Sequence, residues 1–388
     1  MKKLILCLFV LLLPFKVVAS AEIKPVDNGL ASNAKSAILI EGTTGKILFE
    51  KNSHEKLAPA SMTKIISMLI IIEAIEKGII KWEQKITVSE NASSMGGSQI
   101  LLEANEEISI ADLFKGVAVA SGNDAVVALA EATYGTVDEF VKEMNKKAKE
   151  LNLKDTNFKN PHGLDEANHY SSAYDMSIIA KELIKHEKVL EYTSIYEDYL
   201  RKGTDKEFWL VNTNKLVRFY KGADGLKTGY TSSAGYCLTA TALKDNARLI
   251  AVVMNEPSSN TRNAEVTTLL DYGFTKIKVY PLLKKDTIIK KVEVAKSDTK
   301  EALIVPVEDI SIVKAKQDSL GKITYKLNLN DLKAPIKKGD QIGTLIIKEN
   351  DKKIREVKVT VKSNIKVSSF IKLYFKNLKD LIQGNIIF

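Results

Sequence analysis

Cysteine is scarce in this chain, which has 388 residues and only two cysteines, Cys7 and Cys237. Cys7 lies in an apolar N-terminal run, and removal of that run on export would leave Cys237 alone, so an internal disulfide is excluded. Cys237 lies in a strand-like run, which indicates a small buried residue rather than a reactive thiol. Stability therefore has to come from a hydrophobic core.

Histidine is also scarce, and the four histidines, His54, His162, His169 and His186, show no metal-ligand spacing. We therefore expect no metal site and no cofactor. Nucleic-acid-binding motifs, internal repeats and low-complexity tracts are missing too, so the net charge of +9 does not indicate a nucleic-acid partner. On an exported protein, a lysine-rich surface more simply faces an anionic membrane or cell wall.

Long apolar runs are missing as well. The N-terminal run, residues 4–15, is shorter than the ~20 residues that a membrane span needs. A basic start precedes it and Ala19-Ser20-Ala21 follows it, which is the order of a cleaved secretory signal. We predict a signal peptide over residues 1–21 and a mature protein that starts at Glu22. A retained membrane anchor is the alternative.

The chain has 45% hydrophobic and 27% charged residues, an ordinary globular composition, and the length of about two domains. In the first, residues 22–274, strand-like runs at 37–40 and 46–49 flank a glycine-containing loop typical of a hairpin. Residues 59–78 indicate a buried central helix. Further helices are predicted at 110–120, 125–134, 137–151 and 173–186, and further strands at 235–243 and 248–254. Because strands enclose a helical middle, we predict an α+β domain with an antiparallel sheet packed against helices.

The remainder of the chain has a different pattern. Residues 275–366 carry short strand-like runs separated by charged turns, which predicts a small all-β domain. The predicted strands are 288–289, 292–294, 302–306, 323–325 and 357–361. Residues 367–388 place apolar side chains three and four residues apart with lysines between them, which predicts an amphipathic helix on a membrane surface. A terminal helix that packs on its own domain is the alternative.

Three short motifs follow one another along the chain: Ser61-Met62-Thr63-Lys64, Ser121-Gly122-Asn123 and Lys227-Thr228-Gly229. Ser-x-x-Lys and Ser-x-Asn both recur elsewhere by chance, so neither is informative alone. Lys-Thr-Gly occurs once, and only the Ser-x-x-Lys copy at Ser61 opens a strong helical pattern. Together the motifs are the residue set of a serine acyl-transfer site that uses lysine as its base.

The first motif supplies a nucleophile and a base. A spacing of three residues along a helix brings Lys64 onto the same face as Ser61, where it can remove the hydroxyl proton. Lys64 must then be neutral, which requires burial and a nearby positive charge such as Lys227. At the start of a helix, Ser61 also lies beside backbone N–H groups that stabilise an oxyanion. A solvated helix lysine is the alternative for Lys64, and the apolar residues that follow disfavour it.

The second and third motifs supply substrate contacts. Ser121 can relay a proton to the leaving amine and Asn123 can hold a substrate amide, whereas a plain helix cap is the alternative. Lys227 and Thr228 offer a charge and a hydroxyl to a carboxylate, and Gly229, just before strand-like residues, lets a substrate backbone approach an edge strand.

Arg262 is a further candidate for the carboxylate, because a guanidinium binds a carboxylate through two parallel hydrogen bonds. The alternative for Arg262 is an exposed helix arginine.

With these residues, the chain resembles the low-molecular-mass penicillin-binding proteins, the serine-type D-alanyl-D-alanine carboxypeptidases. The resemblance covers most of the predicted mature chain and extends beyond the three motifs. The further segments are Pro59-Ala60, Gly97-Ser98, His162-Gly163-Leu164-Asp165, Asp224-Gly225-Leu226 and the residues around Arg262. It implies a transpeptidase/β-lactamase-like domain, then a smaller β-rich domain, then a C-terminal amphipathic anchor.

The resemblance also implies roles for the site residues. Ser61 would form the acyl-enzyme, Lys64 would accept its proton, Ser121 and Asn123 would assist, and Lys227 would bind substrate. The implied partners are peptidoglycan peptides that end in D-Ala-D-Ala, and β-lactams such as penicillin, whose strained amide resembles that end. With the predicted signal and tail, the resemblance implies a peripheral protein on the outer face of the cytoplasmic membrane.

Two details complete the comparison with the family. The backbone N–H groups of Ser61 and Tyr230 would form the oxyanion hole. Some family members place an arginine shortly before the Lys-Thr-Gly strand, where this chain has Asn212-Thr213-Asn214-Lys215, so the resemblance leaves open which group holds the substrate carboxylate.

Two other functions share these motifs. A β-lactamase needs fast access of water to the acyl-enzyme, usually through an added glutamate base, and no Glu-x-x-x-Asn segment lies between Asn123 and Lys227. A catalytically silent wall-binding protein of the same fold differs only in turnover. The motifs do not separate carboxypeptidase activity from accompanying endopeptidase or transpeptidase activity.

Overall fold

The computed structural model describes residues 29–299, 301–371 and 374. The predicted signal peptide, residues 1–21, and the predicted mature start at Glu22 lie outside this part, as do most residues of the predicted tail helix, 367–388. Within the described part, no helix has both the length and the apolar character needed to cross a bilayer.

The described residues form strands and helices in an order that matches an α-rich middle between β-rich ends. The strands are β1 (Ser36–Glu41), β2 (Ile47–Lys51), β3 (Lys85–Thr87), β4 (Glu107–Ser109), β5 (Glu197–Leu200), β6 (Phe208–Val211), β7 (Ala223–Thr231), β8 (Gly235–Lys244), β9 (Ala247–Glu256), β10 (Ile277–Leu283), β11 (Lys290–Val292), β12 (Ala302–Pro306), β13 (Ile310–Ala315), β14 (Ile323–Leu329), β15 (Gly343–Glu349) and β16 (Lys352–Val361). The α-helices are α1 (Lys64–Glu76), α2 (Glu90–Ser93), α3 (Ile110–Lys115), α4 (Asn123–Tyr134), α5 (Val137–Glu150), α6 (Ala173–Leu183), α7 (Glu187–Thr193), α8 (Leu216–Phe219) and α9 (Ser259–Lys276).

The first part of the fold is built on a five-stranded antiparallel sheet with the strand order β2-β1-β9-β8-β7. Its two faces bury alternate residues of each strand, as a period of two requires. In β1, Ile38 and Ile40 pack in the core that contains α1, whereas Ala37 and Leu39 pack in the core that contains α9. The predicted α+β domain, with first and last strands in one antiparallel sheet, is confirmed.

Helix α1 passes through the middle of the larger core. Its residues from Lys64 to Ile72 are all buried, which follows from a sequence that is apolar on every face. Gly78, at φ +75°, follows its last turn. The prediction of a buried central helix is confirmed, but its first turn, Ala60–Thr63, is a 3₁₀-helix in which residues three apart are aligned.

The second part is all β, as predicted. β10 pairs with β13, and a separate antiparallel sheet has the order β11-β12-β16-β15-β14. Its core is aliphatic and includes Ile304, Leu345, Ile347 and Val359. The sequence pattern missed β10, β13 and β15.

Three local predictions were wrong. Lys227-Thr228-Gly229 lies inside the edge strand β7 and not before it, because its glycines hid the strand pattern. The helix predicted over residues 110–120 ends as α-helix at Lys115 and continues as a π-helix over Gly116–Ala120. Val367 bridges to Ser297 as a β-residue, so the predicted tail helix does not begin there.

Candidate active site

Ser61 lies half-buried in the 3₁₀ turn Ala60–Thr63, directly before α1. The edge strand β7 runs close to this turn. A Cβ at Gly229 would lie 2.8 Å from the carbonyl oxygen of Pro59 and 3.1 Å from the backbone nitrogen of Ser61. Gly229 therefore allows the strand to approach Ser61 of its own chain. From the motif alone, we predicted such a close approach for a substrate backbone and not for the Ser61 turn.

Lys64 is fully buried and its amine reaches three oxygen atoms. Its Nζ lies 3.0 Å from Oγ of Ser61, 2.6 Å from Oδ1 of Asn123 and 2.8 Å from the carbonyl oxygen of His162. The amide and backbone oxygens can only accept hydrogen bonds. A neutral amine has two N–H groups, which satisfy these two acceptors, and its lone pair then faces the hydroxyl of Ser61.

The surroundings of Lys64 favour this neutral form. Burial lowers the pKa of Lys64 well below its ordinary value, and the positive charge of Lys227 lowers it further, against an opposing contribution from Asp124. The predicted burial and neighbouring charge are thus both present. Lys64 has the environment that a lysine base requires.

Asn123 is buried and both ends of its amide are occupied. Oδ1 accepts from Lys64, Nδ2 donates to the carbonyl oxygen of Gly96 at 2.7 Å, and its backbone N–H donates to the carbonyl oxygen of Ser98 at 2.7 Å. Asn123 is the first residue of α4, and the capping residue, Gly122, makes no side-chain cap. The cap interpretation of this motif is therefore wrong, and Asn123 links Lys64 to the segment at 96–98.

Ser121 ends the π-helix Gly116–Ala120 in the left-handed backbone region, at φ 66°. Its side chain is buried, and no hydrogen bond joins its hydroxyl to Ser61 or Lys64 within the part of the chain described. Asp124, which directly follows the motif, accepts hydrogen bonds from the backbone N–H groups of Ile100 and Leu102. This buried carboxylate holds the loop that borders the motif.

Lys227 and Thr228 lie in β7 beside the Ser61 turn. Lys227 is buried and its Nζ donates to the carbonyl oxygen of Thr228 at 2.9 Å. Burial, followed by the charge of Arg262, lowers the pKa of Lys227 to about 7. Oγ1 of Thr228 donates to Oγ1 of Thr213 at 2.8 Å, so the segment that lacks the family's arginine contacts the Lys-Thr-Gly strand through a hydroxyl.

Arg262 lies in the first turns of α9 and its side chain is only 6% exposed, so the exposed-arginine interpretation is wrong. Within the described residues, its guanidinium makes hydrogen bonds only to Oδ1 of Asn263, at 3.0 and 3.1 Å, and no ion pair. Arg262 is also close enough to Lys227 to lower the pKa of that lysine.

Tyr230, the residue after the Lys-Thr-Gly motif, is 56% exposed, and the centroid of its ring lies 4.4 Å from that of Tyr236.

A loop at 160–169 supports the back of the Ser61 turn, and its supporting contacts were not predicted. A Cβ at Gly163, which has φ +89°, would lie 1.9 Å from the carbonyl oxygen of Ala60. His162 contributes its carbonyl oxygen to Lys64. The segment His162-Gly163-Leu164-Asp165 was part of the family resemblance. Its contact with Lys64 could not be predicted from residue types, because every residue has a backbone carbonyl.

His169 fixes the same turn from the side. Its Nδ1 accepts the backbone N–H of Lys159 at 3.0 Å, so the proton is on Nε2, which donates to Oγ1 of Thr63 at 2.8 Å. Burial lowers the pKa of His169 to about 4, which keeps the ring neutral. The ring therefore acts as a fixed bridge between the loop and the turn that carries Ser61.

The motifs thus meet in one place, with the buried amine of Lys64 beside the hydroxyl of Ser61. A family model described as D-alanyl-D-alanine carboxypeptidase matches residues 21–258, which is more than half of the chain. The chain belongs to the D-alanyl-D-alanine carboxypeptidase family. A second model, described as the C-terminal domain of penicillin-binding protein 5, matches residues 278–367 and agrees with the all-β second part.

Individual relatives agree with this assignment. The chain is 51% identical over 352 residues to the D-alanyl-D-alanine carboxypeptidase DacF of Bacillus subtilis, and the match covers 90% of each chain. It is 36% identical over 340 residues to DacA of Haemophilus influenzae, covering 86% of this chain and 85% of the relative.

Solved structures show the same architecture. Penicillin-binding protein 5 of Haemophilus influenzae superposes with a TM-score of 0.66 at 33% identity, over 86% of this chain and 98% of the other. Penicillin-binding protein D2 of Listeria monocytogenes, in its cefotaxime-bound form, superposes with a TM-score of 0.57 at 30% identity, over 62% of this chain and 97% of the other. Neither the β-lactamase nor the silent wall-binding protein is favoured by these relatives.

Proposed function

We propose that this chain is a serine carboxypeptidase that removes the terminal D-alanine from peptidoglycan peptides ending in D-Ala-D-Ala, through an acyl-enzyme on Ser61. One observation carries the proposal: Nζ of Lys64 lies 3.0 Å from Oγ of Ser61 while two carbonyl oxygens occupy its N–H groups. Membership of the D-alanyl-D-alanine carboxypeptidase family identifies the substrate class.

In the acylation step, the lone pair of Lys64 takes the hydroxyl proton of Ser61, and Oγ attacks the carbonyl carbon between the two D-alanines. The oxyanion accepts hydrogen bonds from the backbone N–H groups of Ser61 and Tyr230, which the packing of Gly229 against the turn brings near each other. The proton passes from Lys64, with Ser121 as the relay, to the leaving nitrogen. The C–N bond breaks and D-alanine leaves.

In the deacylation step, water replaces the leaving amine. Lys64 takes a proton from the water, the resulting hydroxide attacks the ester carbonyl, and the proton returns to Oγ of Ser61 as the ester bond breaks. In the Michaelis complex, the terminal carboxylate of the substrate is held by Thr228 and by the buried charges of Lys227 and Arg262. Two buried cations with no carboxylate partner among the described residues suit an anionic ligand group.

The same site takes β-lactams. The strained amide of penicillin offers the same carbonyl to Ser61, and its carboxylate occupies the place of the substrate carboxylate. Support comes from the Listeria monocytogenes relative, whose structures include cefotaxime-bound and ampicillin-bound forms. Because no Glu-x-x-x-Asn segment that could activate water lies between Asn123 and Lys227, we expect the penicilloyl ester to persist.

The experiment that tests this function is incubation of the purified protein with a peptide ending in D-Ala-D-Ala, followed by assay of free D-alanine. We expect turnover, and we expect none from the Ser61→Ala variant. Acylation by penicillin without any D-alanine release would identify a silent wall-binding protein instead. Rapid repeated turnover of penicillin would identify a β-lactamase.

We further propose export and attachment to the outer face of the cytoplasmic membrane. The basic, apolar and small-residue order of residues 1–21 supports export, with cleavage before Glu22. The apolar and lysine pattern of the tail supports surface attachment, and its described residues Phe370 and Ile371 are exposed at 83% and 68%. On this proposal residues 22–274 catalyse, residues 275–366 form a spacer, and residues 367–388 anchor. Intact mass of the exported protein tests the cleavage site.

A further inference from the structure

Glu256, the last residue of β9, is a buried carboxyl group that accepts no hydrogen bond from a described residue. The side chain is 1% exposed, and neither of its oxygens accepts a hydrogen bond from any described residue. An ionised carboxylate in this position would lose its hydration without any compensating donor. The proposed mechanism assigns no part to this group.

Glu265, one turn beyond Arg262 on α9, is the opposite case. Its oxygens accept the backbone N–H of Asn33 at 2.8 Å, the side-chain amide of Asn33 at 2.7 Å, the backbone N–H of Ala34 at 3.2 Å and the hydroxyl of Ser32 at 3.3 Å. Four donors stabilise a negative charge. Glu265 is therefore the ionised member of the pair.

The two carboxyl groups lie close enough to shift each other's pKa, and two adjacent buried carboxyl groups hold one proton between them. The donors around Glu265 and the lack of donors around Glu256 place that proton on Glu256. In agreement, burial and then the contact with Glu265 raise the pKa of Glu256 to about 8, whereas the pKa of Glu265 is lowered. Near neutral pH the pair carries a single negative charge, which is on the member held by residues 32–34.

Arg262 lies within electrostatic reach of Glu256. An ionised Glu256 would be the obvious internal partner for its guanidinium, since a buried guanidinium and a buried carboxylate attract strongly in a low-dielectric environment. As a neutral acid, Glu256 offers no such charge. This explains why the guanidinium has only the amide oxygen of Asn263 as an acceptor among the described residues.

We propose that Glu256 is a positioning residue for the substrate carboxylate: as a neutral acid beside the ionised Glu265, it leaves the positive charge of Arg262 available to the substrate. This inference rests on the proposed function, in which Arg262 holds the terminal carboxylate of a D-Ala-D-Ala peptide. Glu256 itself touches no substrate and acts through Arg262.

The charges around Glu256 fix the direction of the pH effect. The groups that face it are Glu265 and Arg262 of α9, Lys51 of β2 and the thiol of Cys237 of β8. Burial raises the pKa of Cys237 to about 11, so the thiol stays neutral. Above about pH 8, Glu256 loses its proton and pairs with Arg262, so substrate loses a counter-charge and KM rises.

The test compares the wild-type protein with Glu256→Gln, which is neutral at every pH and has nearly the same shape. The kcat/KM for a peptide ending in D-Ala-D-Ala is measured for both from about pH 6.5 to about pH 9.5. Ionisations of Lys64 and Lys227 affect both proteins and cancel in the ratio of wild type to variant. We expect the ratio to be constant below about pH 8 and to fall on the order of tenfold above it, through KM rather than kcat.

A second variant, Glu265→Gln, checks the origin of the effect. This change removes the neighbouring negative charge and supplies a donor to Glu256, so the pKa of Glu256 should decrease. The kcat/KM of this variant should therefore fall at a lower pH than that of the wild type. A ratio of wild type to Glu256→Gln that stays constant over the whole range would overturn the proposal.

A separate arm tests the assumption about Arg262. The same peptide with a C-terminal amide is offered as a competitor near neutral pH. Competition as strong as that of the free acid would show that no counter-charge recognises the carboxylate, which overturns the role of Arg262 and the inference with it. D-alanine release from the acid would still establish the carboxypeptidase activity.

Discussion

The two parts of the molecule differ in what they bury. Among the described residues, charged side chains are buried only in the first part, up to the end of α9. They are Glu41, Lys64, Asp124, Asp175, Lys227, Glu256, Arg262 and Glu265. Between residues 277 and 371, the buried polar side chains are only those of Ser311, Thr360 and Ser368, and the core is aliphatic.

This difference indicates that the first part contains the reactive groups and that the second part has a structural role. A buried charge costs stability, and a hydrophobic replacement of similar size is often at least as stable, so folding alone does not account for the charges of the first part. Several of them lie around Ser61, where a lowered lysine pKa and cations without a carboxylate partner among the described residues suit the proposed reaction. The second part needs only side chains that fill a sheet core. We infer that its contribution is mechanical.

The largest effect should come from Ser61→Ala. This change removes the nucleophile and leaves the fold intact, because the side chain is small and half-buried. Penicillin treatment should add one adduct to the wild-type protein and none to the variant, as measured by intact mass. An adduct that persists in the variant would show that another serine is acylated.

The next effect should come from Lys64→Arg. The guanidinium stays charged and cannot give up a proton near neutral pH, so acylation should fall by about 10²–10⁴-fold. In the wild type, acylation should increase with pH as Lys64 loses its proton and should level off below its ordinary titration range, because burial and Lys227 lower its pKa. Stopped-flow acylation gives both rates. Near-normal acylation by a folded variant would exclude Lys64 as the base.

A third change tests the packing behind the turn. In Gly163→Ala, the new Cβ would lie 1.9 Å from the backbone oxygen of Ala60, so the turn must move, and we expect a loss of about 2 kcal/mol or more of stability together with reduced acylation. Gly339→Ala is the matched control, with φ +103° but no atom within 4 Å. It should cost about 1–2 kcal/mol from the backbone alone and leave acylation unchanged. Thermal melts and acylation rates for both variants make the comparison, and equal losses would refute the role of the contact.

A core change in the second part should separate stability from activity. Leu345 is fully buried in the aliphatic core of the second sheet, and Leu345→Ala should destabilise that sheet by about 2–5 kcal/mol. Carboxypeptidase activity on a soluble peptide should stay within about twofold of wild type at a temperature where the first part is folded. Denaturant unfolding and D-alanine release measure the two quantities. A parallel loss of activity would mean that the sheets unfold as one unit.

The smallest effect on activity should come from removing the tail. A version that ends at Ser369 keeps the bridge between Val367 and Ser297 and the bond from the N–H of Ser368 to the carbonyl oxygen of Lys296. It should lose binding to vesicles of anionic lipid and keep full activity on a soluble peptide, since no candidate catalytic residue lies beyond Arg262. Co-sedimentation tests this. Equal binding by both versions would mean that the tail helix packs on its own domain.

Local patterns predicted much of the fold. The aliphatic residues of α1, the hairpin of β1 and β2, and strands β8 and β9 each carry their own periodicity, so their existence did not depend on distant partners. Sequence patterns failed to predict elements whose residues are determined by contacts with distant parts of the chain. β7 was hidden because Gly229 is required by the Ser61 turn and not by the strand.

The sequence by itself determined the three motifs, their order and the spacing that aligns Ser61 with Lys64, because residues three apart in one turn are neighbours whatever surrounds them. Only the tertiary structure decided that Lys64 is buried among acceptors and that its pKa is lowered. Its two acceptors, Asn123 and His162, are 59 and 98 residues away along the chain, and one is a backbone carbonyl. The proton shared by Glu256 and Glu265 likewise follows from burial and from missing donors, which depend on the folded chain and not on the identity of either residue.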